Sequence, residues 1–495
     1  MKFFCVLSIL VFSSFVLAPE ELTSEIVNPV ASQDVGTASS STASAGSDAS
    51  LSALPNDSKN ASSDVDTDFN FGEVSNEASS FSVNIGGGLY VGITPFFSDL
   101  KNIGELKPSS MLWANIHLDA QAPLTHAYIS LALNDQTLPF NLGNKYATTK
   151  TNKIPRLIDE AFLQVSLSAL YFSAGAKRIT WGRADALSVL DVINPHDMTE
   201  RLFPDNPDKM SVPLLHFFAY TPRDIKLEAV FLPMFTPHLL AIEGKWESEG
   251  MKQLKNTAFA QTFVKQTTQT EKHRVMQNVF KNETDKFKFA QSGARISTTI
   301  ANTHDIALQY FYGYSKMPIV HYDGGSAIAE YLPTHHIGMD YGTAIGMVNL
   351  KLEACANIVG KQRMKESNFE WNADFSSSLP HGLKANLVFK ETIWTYILEE
   401  DANASYALFR KNRQTETISL FSLSQTILRG AVEWRMAVMM GLEDVDVALL
   451  PSLHALFGTI IFDAQLGFFL GRNHNGMFSQ YHKNSYLRLK LGYEF

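Results

Sequence analysis

The sequence predicts an all-β protein: a closed antiparallel transmembrane β-barrel of about 16 strands (14 to 18), with long loops and a disordered N-terminal tether. Three observations support this prediction: an apolar leader, many short segments that alternate between apolar and polar residues, and a last segment that alternates strictly. The length of 495 residues is compatible with one barrel, because barrel strands surround a lumen instead of filling a core.

The amino terminus is typical of a signal peptide. Lys2 precedes an apolar stretch, and Val16 and Ala18 are placed like the small residues before a cleavage site. Residues 1–18 are therefore predicted to be removed on export. Two alternatives are cleavage at another position, because Pro19 disfavours a cut after Ala18, and an uncleaved membrane anchor. Residues 19–80 are rich in Ser, Ala and Asp and lack spaced apolar residues, so they are predicted to be a disordered linker.

Residues 81–495 are predicted to form the barrel. In Met111–Ala122, apolar residues such as Leu112 and Leu118 lie on one face, whereas polar residues such as Asn115 and Asp119 lie on the other. This period of two residues is typical of a strand with one apolar and one wet face. Similar segments recur as far as the last residue, and the charged face is expected to line a lumen, because Arg or Lys facing lipid costs about 2 to 4 kcal/mol.

No run of about 18 apolar residues follows the leader, so any membrane crossing is expected to use strands. Cys355 would be the one cysteine of the mature chain, which leaves no internal disulfide and no thiolate metal cluster.

The last segment places Leu487, Leu489, Leu491, Tyr493 and Phe495 at a strict period of two. It resembles the C-terminal recognition strand of outer-membrane proteins. The resemblance implies that Tyr493 and Phe495 are a signal for membrane assembly, with outer-membrane lipid and the barrel assembly machinery as partners. The expected location is the bacterial outer membrane.

Two connections are unusually long. Residues 182–223 contain several prolines and are too long for a turn, so they are predicted to fold into the lumen as a constriction or plug. Residues 245–288 carry many lysines and are expected to be a solvated surface loop that includes a helix.

Charges of both signs crowd the start of the first long connection, and this group is the predicted pore constriction: Arg178, Trp181, Arg183, Asp185, Asp191, Asn194, His196 and Asp197. Arg178 is expected to pair with Asp191 or Asp197, because paired charges in a narrow lumen set ion preference. The alternative is that these residues only fasten the loop by hydrogen bonds.

The same region contains an Arg followed by Trp-Gly and then Asn-Pro-x-Asp, here Arg178, Trp181–Gly182 and Asn194–Asp197, after a strand at Asp159–Leu163. The pattern resembles a family of Gram-negative outer-membrane β-barrels of unknown function. The resemblance extends to about Pro233 and implies a porin-like barrel, without indicating a solute.

The predicted function is therefore a porin-like channel or transporter that passes small solutes through a constricted polar lumen. One alternative is a transporter of hydrophobic ligands, because Val212–Tyr220 is apolar; another is a surface adhesin that binds through the 245–288 loop. With 41 basic and 50 acidic residues, the chain lacks the excess of positive charge that is typical of nucleic-acid-binding proteins. A homo-oligomer is compatible with the barrel, but no interface is identifiable.

An enzyme is not predicted. Ser188, Asp191 and His196 are suitable residue types without demonstrable geometry. A metal site is not predicted either, because neighbouring histidines such as His335 and His336 on a strand point to opposite faces. No cofactor is expected.

Overall fold

The computed structural model describes residues 81–98, 109–134, 150–151, 157–199, 209–222, 224–256, 279–280, 284–323, 326–360, 366–395, 406–407, 413–472 and 476–495. All of them belong to one compact unit, residues 60–495. The predicted signal peptide, 1–18, and linker, 19–80, lie outside the described residues. Where the structure describes the chain, no helix is both long and apolar enough to cross a membrane.

Eighteen strands form one antiparallel sheet that closes on itself, which confirms the predicted barrel; the count is at the upper end of the predicted range. We number these barrel strands in chain order. They are β1 Ser82–Thr94, β2 Ser109–Ala122, β3 Thr125–Asn134, β4 Ile158–Leu167, β5 Leu170–Lys177, β6 Val212–Tyr220, β7 Ile225–Leu232, β8 Gln291–Ile300, β9 His304–Tyr314, β10 Pro333–Ile345, β11 Val348–Val359, β12 Asn368–Ser378, β13 Leu383–Trp394, β14 Thr415–Ile427, β15 Val432–Gly441, β16 Asp446–Phe457, β17 Ile460–Gly471 and β18 Tyr486–Glu494.

The ring closes where β1 pairs with β18. Just beyond this ladder, the N–H of Gly87 donates to the carbonyl of Phe495 at 2.9 Å, and the N–H of Phe495 donates to the carbonyl of Gly87 at 3.0 Å. A side chain at position 87 would place its Cβ 2.5 Å from the carbonyl oxygen of Asn115. Glycine therefore allows the close approach of backbones at the seam.

The two ends of the barrel differ in their connections. At one end, the short-turn end, strands are joined by tight turns that contain left-handed residues such as Ser168 (φ 54°), Asp224 (φ 54°) and Gly346 (φ 63°). At the other, the long-connection end, residues 178–211 join β5 to β6 and residues 233–290 join β7 to β8. Such asymmetry is typical of outer-membrane barrels.

Side chains alternate between a wet interior and an apolar exterior. Met339 on β10 is 49% exposed whereas its neighbour Asp340 is 1% exposed, and Leu308 on β9 is 54% exposed whereas Gln309 is 4% exposed. Large apolar side chains therefore face outward and polar side chains face inward. A lipid bilayer favours this arrangement, and water does not.

The structure corrects the predicted extent of the inward-folding segment 182–223. Residues Val212–Tyr220 are barrel strand β6, which pairs with β5 and β7. The alternation was hidden because the first half of β6 is apolar on both faces: Leu215 points outward and is exposed, while Leu214 points inward and is buried against Trp181.

Smaller elements lie in the long connections. The predicted helix in the 245–288 loop is α1, Glu249–Asn256. Met251 and Leu254 of this helix are buried with Ile242 and Val320, so this part of the loop is packed rather than fully solvated. The remaining elements are the short strands Lys150–Thr151, Asp197–Met198, Leu239–Glu243, Ile319–Asp323, Ser326–Glu330 and Tyr406–Ala407, and the 3-10 turns Phe287–Phe289, Pro380–Gly382, Leu428–Gly430 and Ser479–Asn484.

The outward face allows a test of membrane embedding. Leu308→Arg places a charge in the middle of β9 and should reduce the free energy of unfolding in lipid vesicles by about 2 to 4 kcal/mol. Ile300→Arg is the matched control, because Ile300 is also exposed but lies at the short-turn end of β8; its cost should be about 0 to 1 kcal/mol. Equal costs in urea titrations would contradict a lipid-facing surface.

Candidate functional site within the barrel lumen

Residues 178–199, here called the inserted segment, cross the interior of the barrel. They follow β5 and contact inward-facing side chains of β4, β7, β9, β10, β11 and β12. Because the contacted strands are spread around the ring from β4 to β12 and the contacting side chains face inward, the segment must lie inside the ring.

The base of the inserted segment is fastened by Arg178. Its guanidinium pairs with Asp159 and with Glu160 (Nη1 to Oε2 3.0 Å), and its Nε donates to the carbonyl of Lys209 at 2.8 Å. The expected pairing of Arg178 with Asp191 or Asp197 is therefore wrong; Asp191 pairs with Lys209 at 2.6 Å. The register of β4 and β5 explains the difference, because it brings Glu160 beside the end of β5.

Asn194 holds together the start of the connection, at Lys177 and Ile179, and its end, at Met210. Its Oδ1 accepts the N–H of Ile179 at 2.8 Å, and its Nδ2 donates to the carbonyls of Lys177 (3.0 Å) and Met210 (2.9 Å). The side chain is completely buried. Asn194 therefore closes the base of the loop and does not line an open pore.

Trp181 is also buried. Its Nε1 donates to Glu228 on β7 at 3.0 Å, and His216 on β6 contacts the same oxygen at 2.8 Å. The indole packs edge-on against Phe311, with ring centroids 6.3 Å apart. This apolar cluster joins the inserted segment to the inner wall of β6, β7 and β9.

The tip of the inserted segment is bound by one wall carboxylate. Glu353 on β11 accepts the N–H groups of Arg183 (2.6 Å), Ala184 (2.8 Å) and Val189 (2.9 Å), and the hydroxyl of Ser188 (2.7 Å). Glu353 is 3% exposed. A buried carboxylate with four donors is well satisfied, and each donor fixes the course of the tip.

Neighbouring wall side chains complete the binding of the tip. Asp374 accepts the N–H of Asp185 at 2.7 Å, and Asn372 donates to the carbonyls of Ala186 (3.1 Å) and Leu187 (3.0 Å). Gln309 on β9 donates to the carbonyl of Leu190 at 2.9 Å. The backbone of the tip thus finds its hydrogen-bond partners on the wall opposite its origin.

The charged groups beside the tip remain partly exposed. Arg183 donates to Asp340 (Nε to Oδ1 2.8 Å) and to Asp305 (Nη1 to Oδ2 2.9 Å), and Lys351 pairs with Asp185. The side chains of Arg183, Asp305, Lys351 and Asp185 are 28%, 36%, 25% and 31% exposed. These four groups of both signs are the part of the network that meets water in the lumen.

The far limb of the inserted segment returns to the long-connection end. Asp197 accepts the N–H and the hydroxyl of Thr199 at 2.9 and 2.6 Å. The backbone N–H of His196 donates to Nδ1 of His238 at 2.8 Å. The structure therefore places the predicted residues in different roles: Arg183 and Asp185 face water, Trp181 and Asn194 are buried, and the others fasten the two limbs.

Sequence reasoning missed the wall residues that receive the tip, namely Gln309, Asp340, Glu353, Asn372 and Asp374. Each is an inward-facing residue between outward apolar neighbours. The same alternation is expected for a side chain that faces water, so it carried no signal for a bound loop.

No family model matches the sequence, and no curated protein sequence matches it. Several solved structures are similar. OccAB1 of Acinetobacter baumannii is 6% identical over 83% of this chain and 96% of its own, with a TM-score of 0.47. A BenF-like porin from Pseudomonas fluorescens Pf-5 is 8% identical over 84% and 98%, with a TM-score of 0.44. OccK8 (OprE) of Pseudomonas aeruginosa is 10% identical over 84% and 98%, also with a TM-score of 0.44. The assignment of the barrel rests on the strand pairing alone.

Glu353→Gln tests whether this carboxylate positions the tip. The amide would point an NH2 group at N–H donors and leave one or more of them unpaired, at about 1 to 3 kcal/mol each. Hydrogen exchange of residues 183–190 in the folded protein should rise about tenfold or more, since about 1.4 kcal/mol corresponds to a factor of ten.

Glu433→Gln is the control, because Glu433 lies near the short-turn end of β15. It should leave exchange of the tip unchanged. Unchanged exchange in Glu353→Gln as well would show that the tip is held by other contacts.

Proposed function

We propose that the protein is an outer-membrane porin-like channel or transporter that passes small solutes through a polar lumen constricted by the inserted segment. This proposal rests on one observation: Glu353, Asn372 and Asp374 bind the tip of this segment to the opposite wall. A solute that crosses the barrel must then pass beside the tip. The partners of this function are outer-membrane lipid and the small solute.

The constriction would act through its charges. Arg183 and Lys351 lie beside Asp185 and Asp305, so a solute meets both signs within one narrow aqueous passage. Charged groups at such a constriction favour solutes whose charge they complement. Of the predicted constriction residues, Arg183 and Asp185 carry this role, whereas Arg178, Trp181, Asp191, Asn194, His196 and Asp197 hold the segment in place.

Transport is proposed rather than catalysis. The hydroxyl of Ser188 donates to Glu353, and Asp191 pairs with Lys209. Both groups therefore fasten the loop.

The apolar face of β6 favours the channel over a transporter of hydrophobic ligands. Its inward side chains Val212 and Leu214 are buried with Trp181 and Ile193. The surface that suggested a lipid-like ligand is thus already covered by the inserted segment.

Membrane assembly is proposed to use Tyr493 and Phe495. Both rings point outward, are 51% and 63% exposed and lie 6.3 Å apart, next to the seam that closes the ring. This position would make them accessible to the barrel assembly machinery while the seam is still open.

Two opposite substitutions test the constriction. Arg183→Ala removes a cation and leaves Asp305 and Asp340 without its charge, so the reversal potential in a salt gradient should shift toward cation preference. Asp305→Asn should shift it in the opposite direction. Planar-bilayer recordings of the purified protein measure both.

Arg429→Ala is the control, because Arg429 lies in a 3-10 turn at the short-turn end. It should not change the reversal potential. Shifts of the same size in all three variants would contradict a constriction at Arg183, and a wild type without channels would contradict the proposed function.

Phe495→Ser should lower the fraction of protein that reaches the folded, membrane-inserted form, measured by heat-modifiable electrophoretic migration. Phe457→Ser is the control, because Phe457 is also outward, is 57% exposed and ends β16 at the short-turn end. An equal loss in both variants would show that Phe495 acts only as another apolar surface residue.

A further inference from the structure

The far limb of the inserted segment, residues 191–198, is joined to two other long connections. Short strand Asp197–Met198 pairs in parallel with Leu239–Glu243, and the N–H of Leu239 donates to the carbonyl of His196 at 3.0 Å. The ammonium of Lys316 donates to the carbonyl of Val192 at 2.6 Å. The position of this limb therefore depends on residues 233–243 and 315–318.

Two histidines lie at the centre of this junction. The rings of His196 and His238 stack with centroids 5.4 Å apart and planes inclined by 21°. Nδ1 of His238 accepts the backbone N–H of His196 at 2.8 Å. A ring nitrogen that accepts a hydrogen bond carries no proton, so this contact requires that Nδ1 of His238 is unprotonated.

The surroundings disfavour a positive charge on either ring. Burial is the largest cause of the lowered pKa of His196. Asp191 of the same limb raises this pKa, and Lys209 beside the start of β6, Lys316 from the β9–β10 connection and Lys390 of β13 lower it. Asp191 is itself paired with Lys209. The three ammonium groups therefore oppose a further positive charge on His196, whereas the Asp191 carboxylate favours it.

Burial acts on both histidines and on Lys316. It lowers the pKa of His196 to about 4, and it lowers the pKa of His238 well below the ordinary value, with His196 and Lys316 acting in the same direction. Burial also lowers the pKa of Lys316 to about 8. Both histidines therefore favour their neutral forms as long as the limb stays in place, whereas Lys316 stays charged in neutral and acidic solution.

We propose that His196 and His238 form an acid-sensitive latch. Protonation of Nδ1 of His238 removes the acceptor of the His196 amide and places a hydrogen against its N–H, and charge on either ring repels Lys316. Acid therefore releases residues 191–198 from the other long connections. If the inserted segment constricts the lumen, as proposed above, this release widens the lumen; the release itself does not depend on that function.

The direction of the pH dependence follows from proton binding. In the latched form the imidazole pKa lies below its ordinary value of about 6.5, so the latched form binds fewer protons. The latch is intact above pH 6.5 and weakens as the pH falls from 6.5 toward 4. At pH 5, which is about 1.5 units below the ordinary pKa, each histidine shifts the equilibrium toward release by about 30-fold.

Hydrogen exchange of the folded full-length protein in proteoliposomes measures the latch without requiring conduction. Protection of residues 191–198, corrected for the intrinsic pH dependence of exchange, should fall by about 30-fold or more between pH 7 and pH 5. In His238→Asn the side-chain Oδ1 replaces Nδ1 as acceptor and does not titrate. Between pH 7 and pH 5, protection in this variant should fall about 30-fold less than in the wild type, because His196 is then the one histidine of the latch that still titrates.

His381→Asn is the matched control, because His381 is exposed in a turn at the short-turn end. It should retain the pH dependence of the wild type. Equal protection of wild-type residues 191–198 at pH 7 and pH 5, or an unaltered pH dependence in His238→Asn, would overturn the latch.

A second variant covers the case in which His238→Asn does not fold. Met198 and Leu240 are paired across the parallel ladder, so Met198→Cys with Leu240→Cys allows a disulfide across the junction. The oxidised form should keep residues 191–198 protected at pH 5, and reduction should restore the acid response. An acid response that is the same with and without the disulfide would also overturn the proposal.

Discussion

The pairing of β1 with β18 turns the sheet into a closed ring and leaves no strand edge inside the membrane. Hydrocarbon offers no hydrogen bonds to a strand edge, so an open sheet would leave a row of backbone groups unpaired, at several kcal/mol each. The contact of Gly87 with Phe495 completes the last ladder. Closure then fixes which face of every strand meets lipid and which meets water, and the alternation of apolar and polar residues follows from it.

A closed ring of 18 strands encloses more space than its own side chains fill, and the inserted segment occupies part of it. The wall supplies the buried hydrogen-bond partners that this segment needs, with carboxylates for its N–H groups and amides for its carbonyls. Binding of a loop by inward-facing residues of several strands makes its position a property of the whole barrel. This arrangement suits a constriction, whose width must not vary with the motion of a free loop.

The sequence predicted the barrel because each strand separates lipid from water. Met111–Ala122 shows this directly. Val212–Tyr220 does not, because Val212 and Leu214 on its inner face are covered by Trp181 and are apolar as well. The crowding of charges from Arg178 to Asp197 indicated the right segment, but not its partners. Glu353 and Asp374 are indistinguishable in sequence from water-facing carboxylates, and the partner of Arg178 depends on the register of β4 and β5, which alternation alone does not specify.

Removing the tip of the inserted segment shows whether the tip limits passage through the lumen. Residues 183–190 can be replaced by a short Gly-Ser linker, because their wall partners would then face water. Single-channel conductance with polyethylene glycols of increasing size measures the passage. Without the tip, the conductance should be larger and larger polymers should enter than in the wild type; unchanged conductance with an unchanged size limit would show that the tip does not limit passage.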